Sequence, residues 1–413
     1  MSRWFRKQHS MLVTDGIITA KPDGSRWKGR GAALTASSAA LVLAAGVAIV
    51  AFASPGSHAD PVTAAQRSAL TQPAVPLQVL SVTPAAGARN VNGAASIRIQ
   101  FSAPLAASTP MPQLSPQVAG GWQVEGDTVV FTPVAGYFQD TRVTLKIPGG
   151  PSGMISVGGA STGGGLLATG VTESFTTGSF STLRLQQLFA QLGYLPLTWT
   201  PASRPVISPG NANAELSAAY APPKGTFTWQ KGYPSSLTDQ WQTGSANILD
   251  VGAIRAFESV HGLTMDGYAG HSVWTSLLTA VAKGQRNPNG YTYALANQNS
   301  PESITIWHNG RVVLTSPANT GIPASPTVDG TFPVYLRFYF TYMKGINPDG
   351  TPYDDPVWYV SYFNGGDAVH YFPRGGYGWY QSLGCVELPW DAAATAYPYL
   401  TYGSLVTVTG PVA

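Results

Sequence analysis

The sequence predicts a mainly β, multidomain chain with one apolar helix near its N-terminus and one small helical segment in its middle. Three observations carry this. Gly (46) and Pro (33) are abundant in the 413 residues and only 10% are charged, a composition suited to short strands broken by turns. Aromatics reach 11%, which excludes a disordered chain poor in aromatics and rich in charge. Residues 31–54 carry no charge at all. At about 150 residues per domain the length holds two or three domains. The net charge of +3 is small, with much of the positive charge in the first thirty residues. No basic patch with interleaved aromatics points to nucleic acid.

Residues 1–30 contain Arg3, Arg6, Lys7, Lys21, Arg26, Lys28 and Arg30 against Asp15 and Asp23. The apolar run 31–54 follows directly, and about 20 such residues cross a bilayer as a helix. Basic residues ahead of the span stay in the cytoplasm. The expectation is therefore a basic cytoplasmic segment, a single membrane anchor over 31–54, and everything beyond Pro55 on the extracytoplasmic face. The alternative is a cleaved signal segment and secretion, since Ala51-Phe52-Ala53 and Ser57-His58-Ala59 are small-x-small sites. Both readings export the chain. Residues 55–75 are small, polar and Pro-containing, and read as a linker.

Over 76–178, short alternating runs predict strands at Leu77–Val82, Ser96–Phe101, Trp122–Val124, Thr128–Phe131, Arg142–Ile147 and Glu173–Thr176. Turn residues separate them, the pattern of a β-sandwich. VLSVTPAAGARNV followed by IRIQFSAPL resembles the opening of bacterial Ig-like domains of exported proteins. That resemblance implies a spacer or an adhesive module.

Over 181–285 the period changes. Leu185, Leu188 and Leu192 recur at helical spacing and Gly193 stops the run; Val251, Ile254, Phe257 and Val260 repeat, with Asp250 as N-cap and Gly262 as terminator. LQQLFAQLGYLP and GAIRAFESVHGLTMDGYAGHSVWTSLL resemble the peptidoglycan-binding three-helix domain, interrupted at 197–246 by a Pro-, Tyr- and Trp-rich insertion. The resemblance implies contact with cell-wall glycan. His261 and His271 have no third ligand at convincing spacing, so no metal site is expected.

From 291 to 413 β signals return. Ile304–Trp307 and Arg311–Leu314 flank His308-Asn309-Gly310, and Asn-Gly is a strong hairpin signal. Residues 343–356 read as a long loop, Trp358–Phe363 and Leu405–Val408 as strands, and Trp390–Tyr397 as a short helix. This domain holds Cys385, the only cysteine of the chain, fifteen positions after His370. A free thiol has a pKa of about 8.5 and attacks as thiolate. An imidazole in reach takes its proton and returns it to a leaving amine. Gly384 permits a tight turn ahead of the nucleophile, and such a turn aims backbone N–H groups at a developing oxyanion. One cysteine in an exported chain forms no internal disulfide and reads as a reactive thiol or an intermolecular partner.

Residues 291–410 resemble the L,D-transpeptidase catalytic domain of bacterial cell-wall enzymes. The family sets a histidine upstream of a Ser/Thr-His-Gly-Cys-apolar-Asn/Arg signature; here it is Ser382-Leu383-Gly384-Cys385-Val386-Glu387. Its earlier landmark is matched by Asn319-Thr320-Gly321 and Thr327–Val334. Leu383 and Glu387 depart from the pattern, as does Val328 where a proline is usual. The resemblance implies Cys385 as nucleophile and His370 as base and then acid. The backbone near Tyr371, or Asp367, orients the imidazole, with Ser382 in support. The N–H groups of Gly384 and Cys385 form the oxyanion hole. Arg374, Trp379, Tyr380 and Tyr359 are candidates for the cleft, Arg374 for a substrate carboxylate. The implied reaction cross-links third-position residues of peptidoglycan stem peptides through a Cys385 thioester, releasing D-Ala. An L,D-carboxypeptidase and a catalytically degenerate tether are the alternatives. The implied setting is the cell wall, with no metal or nucleotide cofactor, and with β-lactams of carbapenem type as covalent ligands of Cys385.

Overall fold

The computed structural model describes residues 75–157, 165–203 and 212–410. The readings made for residues 1–74, the membrane span among them, lie outside the described residues. Among the described residues no helix is long and apolar enough to cross a membrane.

Seven strands build the first layer pair: β1 (Val79–Thr83), β2 (Ile97–Phe101), β3 (Gln113–Ser115), β4 (Gly120–Glu125), β5 (Thr128–Pro133), β6 (Arg142–Ile147) and β7 (Val171–Thr176). They form one sheet of order β1-β2-β5-β4 and a second of order β3-β6-β7. Alternation explains the packing: Ile97, Ile99 and Phe101 are buried while Arg98 and Gln100 face out. These residues meet Val129, Val143, Leu145 and Phe175 in one core between the sheets.

The middle segment contains α1 (Thr182–Leu192), the hairpin of β8 (Leu197–Pro201) and β9 (Gly225–Trp229) that brackets α2 (Ala212–Tyr220), a short α3 (Ser235–Thr238), α4 (Ile248–His261) and α5 (His271–Ala282). Gly193 ends α1 in the left-handed region at φ 81°, and Gly262 ends α4 at φ 64°. The N-cap of α4 is Asn247, not Asp250. Asn247 accepts from the Leu249 N–H, and Asp250 returns a bond to the Asn247 N–H from the third helical position, a capping box. The core here is not confined to the segment. Leu188, Phe189, Ala253, Phe257, Trp274 and Leu277 share one cluster with Tyr291, Tyr293 and Leu405 of the C-terminal region. His261 stacks on Phe257 and His271 lies against Phe138.

The C-terminal region adds β10 (Thr292–Asn297), β11 (Ser303–His308), β12 (Arg311–Pro317), β13 (Gly330–Pro333), β14 (Leu336–Ile346), β15 (Pro352–Asn364), β16 (Asp367–Tyr371), β17 (Val386–Leu388), α6 (Trp390–Ala396) and β18 (Leu405–Thr409). Two sheets result, β12-β11-β10-β18-β13 and β14-β15-β16-β17. Ala294, Ile304, Ile306, Phe363, Val369, Val386, Leu388 and Val406 pack together as a core of this region. Asn309 and Gly310, at φ 49° and 75°, make the turn between β11 and β12. Residues 343–356 are not a loop: they are the distal part of the long β14–β15 hairpin, and only 347–351 turn.

Candidate active site

β16 and β17 lie side by side in parallel, with Val369 opposite Val386, His370 opposite Glu387 and Tyr371 opposite Leu388. Side chains alternate along each strand. Val369, Val386 and Leu388 therefore point into the core. Ala368, His370, Cys385 and Glu387 share the opposite face, where Ala368 and Cys385 join a smaller apolar cluster with Val357, Tyr362, Met343 and Phe372. Fifteen residues of sequence thus return to one face of a parallel strand pair, with His370 opposite Glu387 and Cys385 just before β17.

His370 is 2% exposed. Its Nδ1 donates to the Tyr371 carbonyl at 2.9 Å. A carbonyl only accepts, so Nδ1 carries a proton. Burial holds the imidazole below its ordinary pKa and therefore neutral, against smaller opposing influences from that carbonyl and from Glu387. The lone pair then sits on Nε2, which is buried without a hydrogen-bond partner. Asp367 is not the orienting group. Its carboxyl packs against Gly384, where a Cβ would overlap Oδ1.

The Cys385 Sγ lies 3.9 Å from Met343 Sδ and 3.8 Å from the Gly366 carbonyl oxygen. Burial pushes the thiol well above its usual range, and Asp367 and Glu387 push it further, while the Ala368 backbone opposes them. The thiol and the imidazole are thus both neutral at rest, and no hydrogen bond joins them among the described residues: Sγ contacts Met343 and the Gly366 carbonyl, and Nε2 is unpartnered.

The turn that carries the cysteine is pinned from several sides. Ser382 Oγ donates to the Cys385 carbonyl at 2.6 Å and accepts from the Gly384 N–H at 3.2 Å. That second bond occupies one of the two N–H groups expected to face an oxyanion. Gly384 itself has φ 114°, a conformation open essentially to glycine. The Thr320 carbonyl accepts from the Gln381 and Ser382 N–H groups, both at 2.9 Å, and Ile322 donates to the Ser382 carbonyl at 2.9 Å. Ser325 Oγ donates to the Leu383 carbonyl at 3.0 Å. The Asn319-Thr320-Gly321 and Thr327 landmarks thus brace this turn, with Gly321 donating to Thr327 Oγ1 at 2.8 Å and Thr320 to the buried Glu302 at 2.6 Å.

The remaining expected cleft residues divide. Trp379 and Tyr380 stand exposed on the loop between β16 and β17. Tyr359, at φ 59° inside β15, packs instead among Tyr339, Trp390 and Tyr397. Arg374 is not free for a substrate carboxylate, because Glu387 engages it bidentately, both bonds 2.7 Å. Met343, Tyr353 and Tyr362 of the long hairpin, which the sequence reading left out of the site, are its neighbours: Met343 touches the sulfur, and a charge on Cys385 would act on both tyrosines.

A family model described as the L,D-transpeptidase catalytic domain (YkuD) matches residues 291–408. One described as a bacterial Ig-like domain (Big_5) matches residues 73–177. No curated protein matches the chain. Among similar solved structures, an L,D-transpeptidase from Mycobacterium smegmatis is 18% identical, with 81% of this chain and 100% of that one covered and a TM-score of 0.27. L,D-transpeptidase 3 from Mycobacterium tuberculosis, in complex with a faropenem-derived adduct, is 15% identical over 80% of this chain and 98% of that one, TM-score 0.27. The catalytic domain of an E. faecium L,D-transpeptidase acylated by ertapenem is 28% identical over 29% and 97%, TM-score 0.27. The assignment rests on the two family-model matches.

Proposed function

We propose, from the match of residues 291–408 to the L,D-transpeptidase catalytic domain and of residues 73–177 to a bacterial Ig-like domain, that the chain is a cysteine-dependent acyltransferase acting on peptidoglycan stem peptides. The observation that carries the reading is the neutral His370, with its lone pair on a buried, unpartnered Nε2, on the same face of a parallel strand pair as the only thiol of the chain.

In the proposed reaction the Cys385 sulfur attacks the carbonyl of the third stem residue while Nε2 takes the thiol proton. The oxyanion accepts from the Cys385 N–H, since Ser382 holds the Gly384 N–H; one such donor is worth about 3–4 kcal/mol. The C–N bond to D-Ala breaks as the imidazolium returns the proton to the leaving amine. A thioester remains. An amine of a second stem attacks it, His370 again moving the proton, and a cross-link between two third-position residues forms with the thiol regenerated. Water in place of the amine yields a tripeptide. β-Lactams of carbapenem type are proposed as covalent ligands of Cys385, because a thiol that opens a stem-peptide carbonyl can open a lactam carbonyl in the same way. The 181–285 segment is proposed to contact the glycan, and the apolar 31–54 segment to hold the enzyme on the extracytoplasmic face of a bacterial membrane.

The test uses residues 60–413, reduced, with disaccharide-tetrapeptide, and the same protein carrying Cys385→Ala. A dimer lacking one D-Ala, absent with the variant, is the expected product. Tripeptide alone makes the protein a carboxypeptidase. A folded, alkylatable protein with no turnover sinks the enzyme reading and leaves a wall tether, the reading that Leu383 favours.

A further inference from the structure

Arg374 stands on the loop between β16 and β17, and its guanidinium is committed inside the protein. Nε donates to Glu387 Oε2 and Nη2 to Glu387 Oε1, each at 2.7 Å, and Nη2 also donates to the Gln381 carbonyl at 3.0 Å. The guanidinium lies over the Phe372 ring, 4.6 Å from its centroid. Glu387 is 4% exposed and accepts a further bond from Asn319 Nδ2 at 3.3 Å. The parallel register sets this carboxylate beside His370 and two residues after the nucleophile.

An uncompensated carboxylate at that place acts twice. It favours imidazolium over the neutral base, and it repels the sulfur as its proton leaves. Removing Arg374 also leaves the buried Glu387 carboxylate without its charged partner. The signature that residues 382–387 resemble carries Asn or Arg two residues after the cysteine, and this chain departs from it there as well as at Leu383. Here the acid stands in the strand and the cation comes back from the loop.

We propose that Arg374 is a positioning residue for the Cys385–His370 pair: its bidentate pairing neutralises the Glu387 carboxylate beside the imidazole and, through the Gln381 carbonyl, ties down the loop that delivers the nucleophile. The inference rests on the reading of Cys385 and His370 as the reacting pair. The charged groups acting on His370 are Glu387 from β17 and Arg374 from the loop. Those acting on Cys385 are Asp367 from β16 and Glu387 from β17, with the titratable Tyr353 and Tyr362 of β15 also coupled to the thiol.

The test is an NMR titration of the imidazole of His370, its signal assigned by its loss in His370→Gln, run beside the pH profile of Cys385 acylation by a carbapenem. Arg374→Met is expected to move the His370 midpoint and the acid limb of acylation to higher pH. Arg374→Met combined with Glu387→Gln is expected to bring both back. Arg374→Lys keeps the charge without the fork: it should hold the midpoint while slowing acylation at every pH. If Arg374→Met does not fold, Glu387→Gln alone decides, with an expected shift of the midpoint to lower pH. A midpoint that stays fixed, or that moves alike in Arg374→Met and the double variant, overturns the proposal. The titration needs no cell-wall substrate. A wild type that titrates as expected but makes no product therefore fails the transpeptidase reading while supporting the electrostatic role.

Discussion

The α-carbon of Gly384 is seated against the Asp367 carboxyl so closely that any side chain at 384 would run into Oδ1. The positive φ of 114° adds a second barrier at the same position. Gly384→Ala should therefore cost about 1–3 kcal/mol of stability and displace the turn that presents the sulfur. The check is denaturant unfolding together with the alkylation rate of Cys385. A variant with wild-type values for both would show that the turn relaxes freely.

Removal of either member of the proposed reacting pair should separate two kinds of loss. Cys385→Ala should take up no carbapenem. His370→Gln should retain the thiol but lose about 10²–10⁴-fold in acylation rate, the range for one general base. Intact-protein mass after timed exposure reads both. Undiminished acylation in His370→Gln would place the base elsewhere.

Burial raises Asp367 to about 7, against about 3.9 in an unfolded chain. Between those values the native state keeps a proton that the unfolded state has released, so stability falls as pH rises. The contribution is full below about pH 4 and lost above about pH 7. Asp367→Asn should flatten the pH dependence of unfolding free energy across that window. It should also quicken Cys385 alkylation at pH 8, since the Asp367 charge holds the thiol up. Parallel stability curves would remove Asp367 from the account.

Phe257 packs within the cluster that joins α4 to Tyr293 and Leu405. Phe257→Ala should cost about 3–5 kcal/mol and should lower the stability of the catalytic region with it. Helical circular dichroism and Cys385 protection from alkylation should then be lost in one transition. Protection that outlasts the helices would mean that the two regions unfold separately.

Cys385, Gly384 and His370 could be read as candidates because few residue types perform acyl transfer and the three fall in one short stretch. The long hairpin was not. Residues 335–343 carry aromatic side chains on both faces, with only Arg337 and Thr341 polar among them, so alternation is blurred, and the Pro- and Asp-containing tip extends the look of a turn in both directions. The Arg374–Glu387 pair was equally hidden: the two residues lie thirteen apart, and Arg374 meets Glu387 only because the loop after β16 folds back onto β17. The cap of α4 was misread by three positions because a capping box uses a polar residue at each end, and Asp250 is the inner one.

Sequence uniqueness of the thiol turns a structural detail into a counting device. Every electrophile that reacts with sulfhydryl in this chain can report only on Cys385. Label stoichiometry then counts accessible Cys385 thiols directly, with no peptide mapping and no correction for bystander residues.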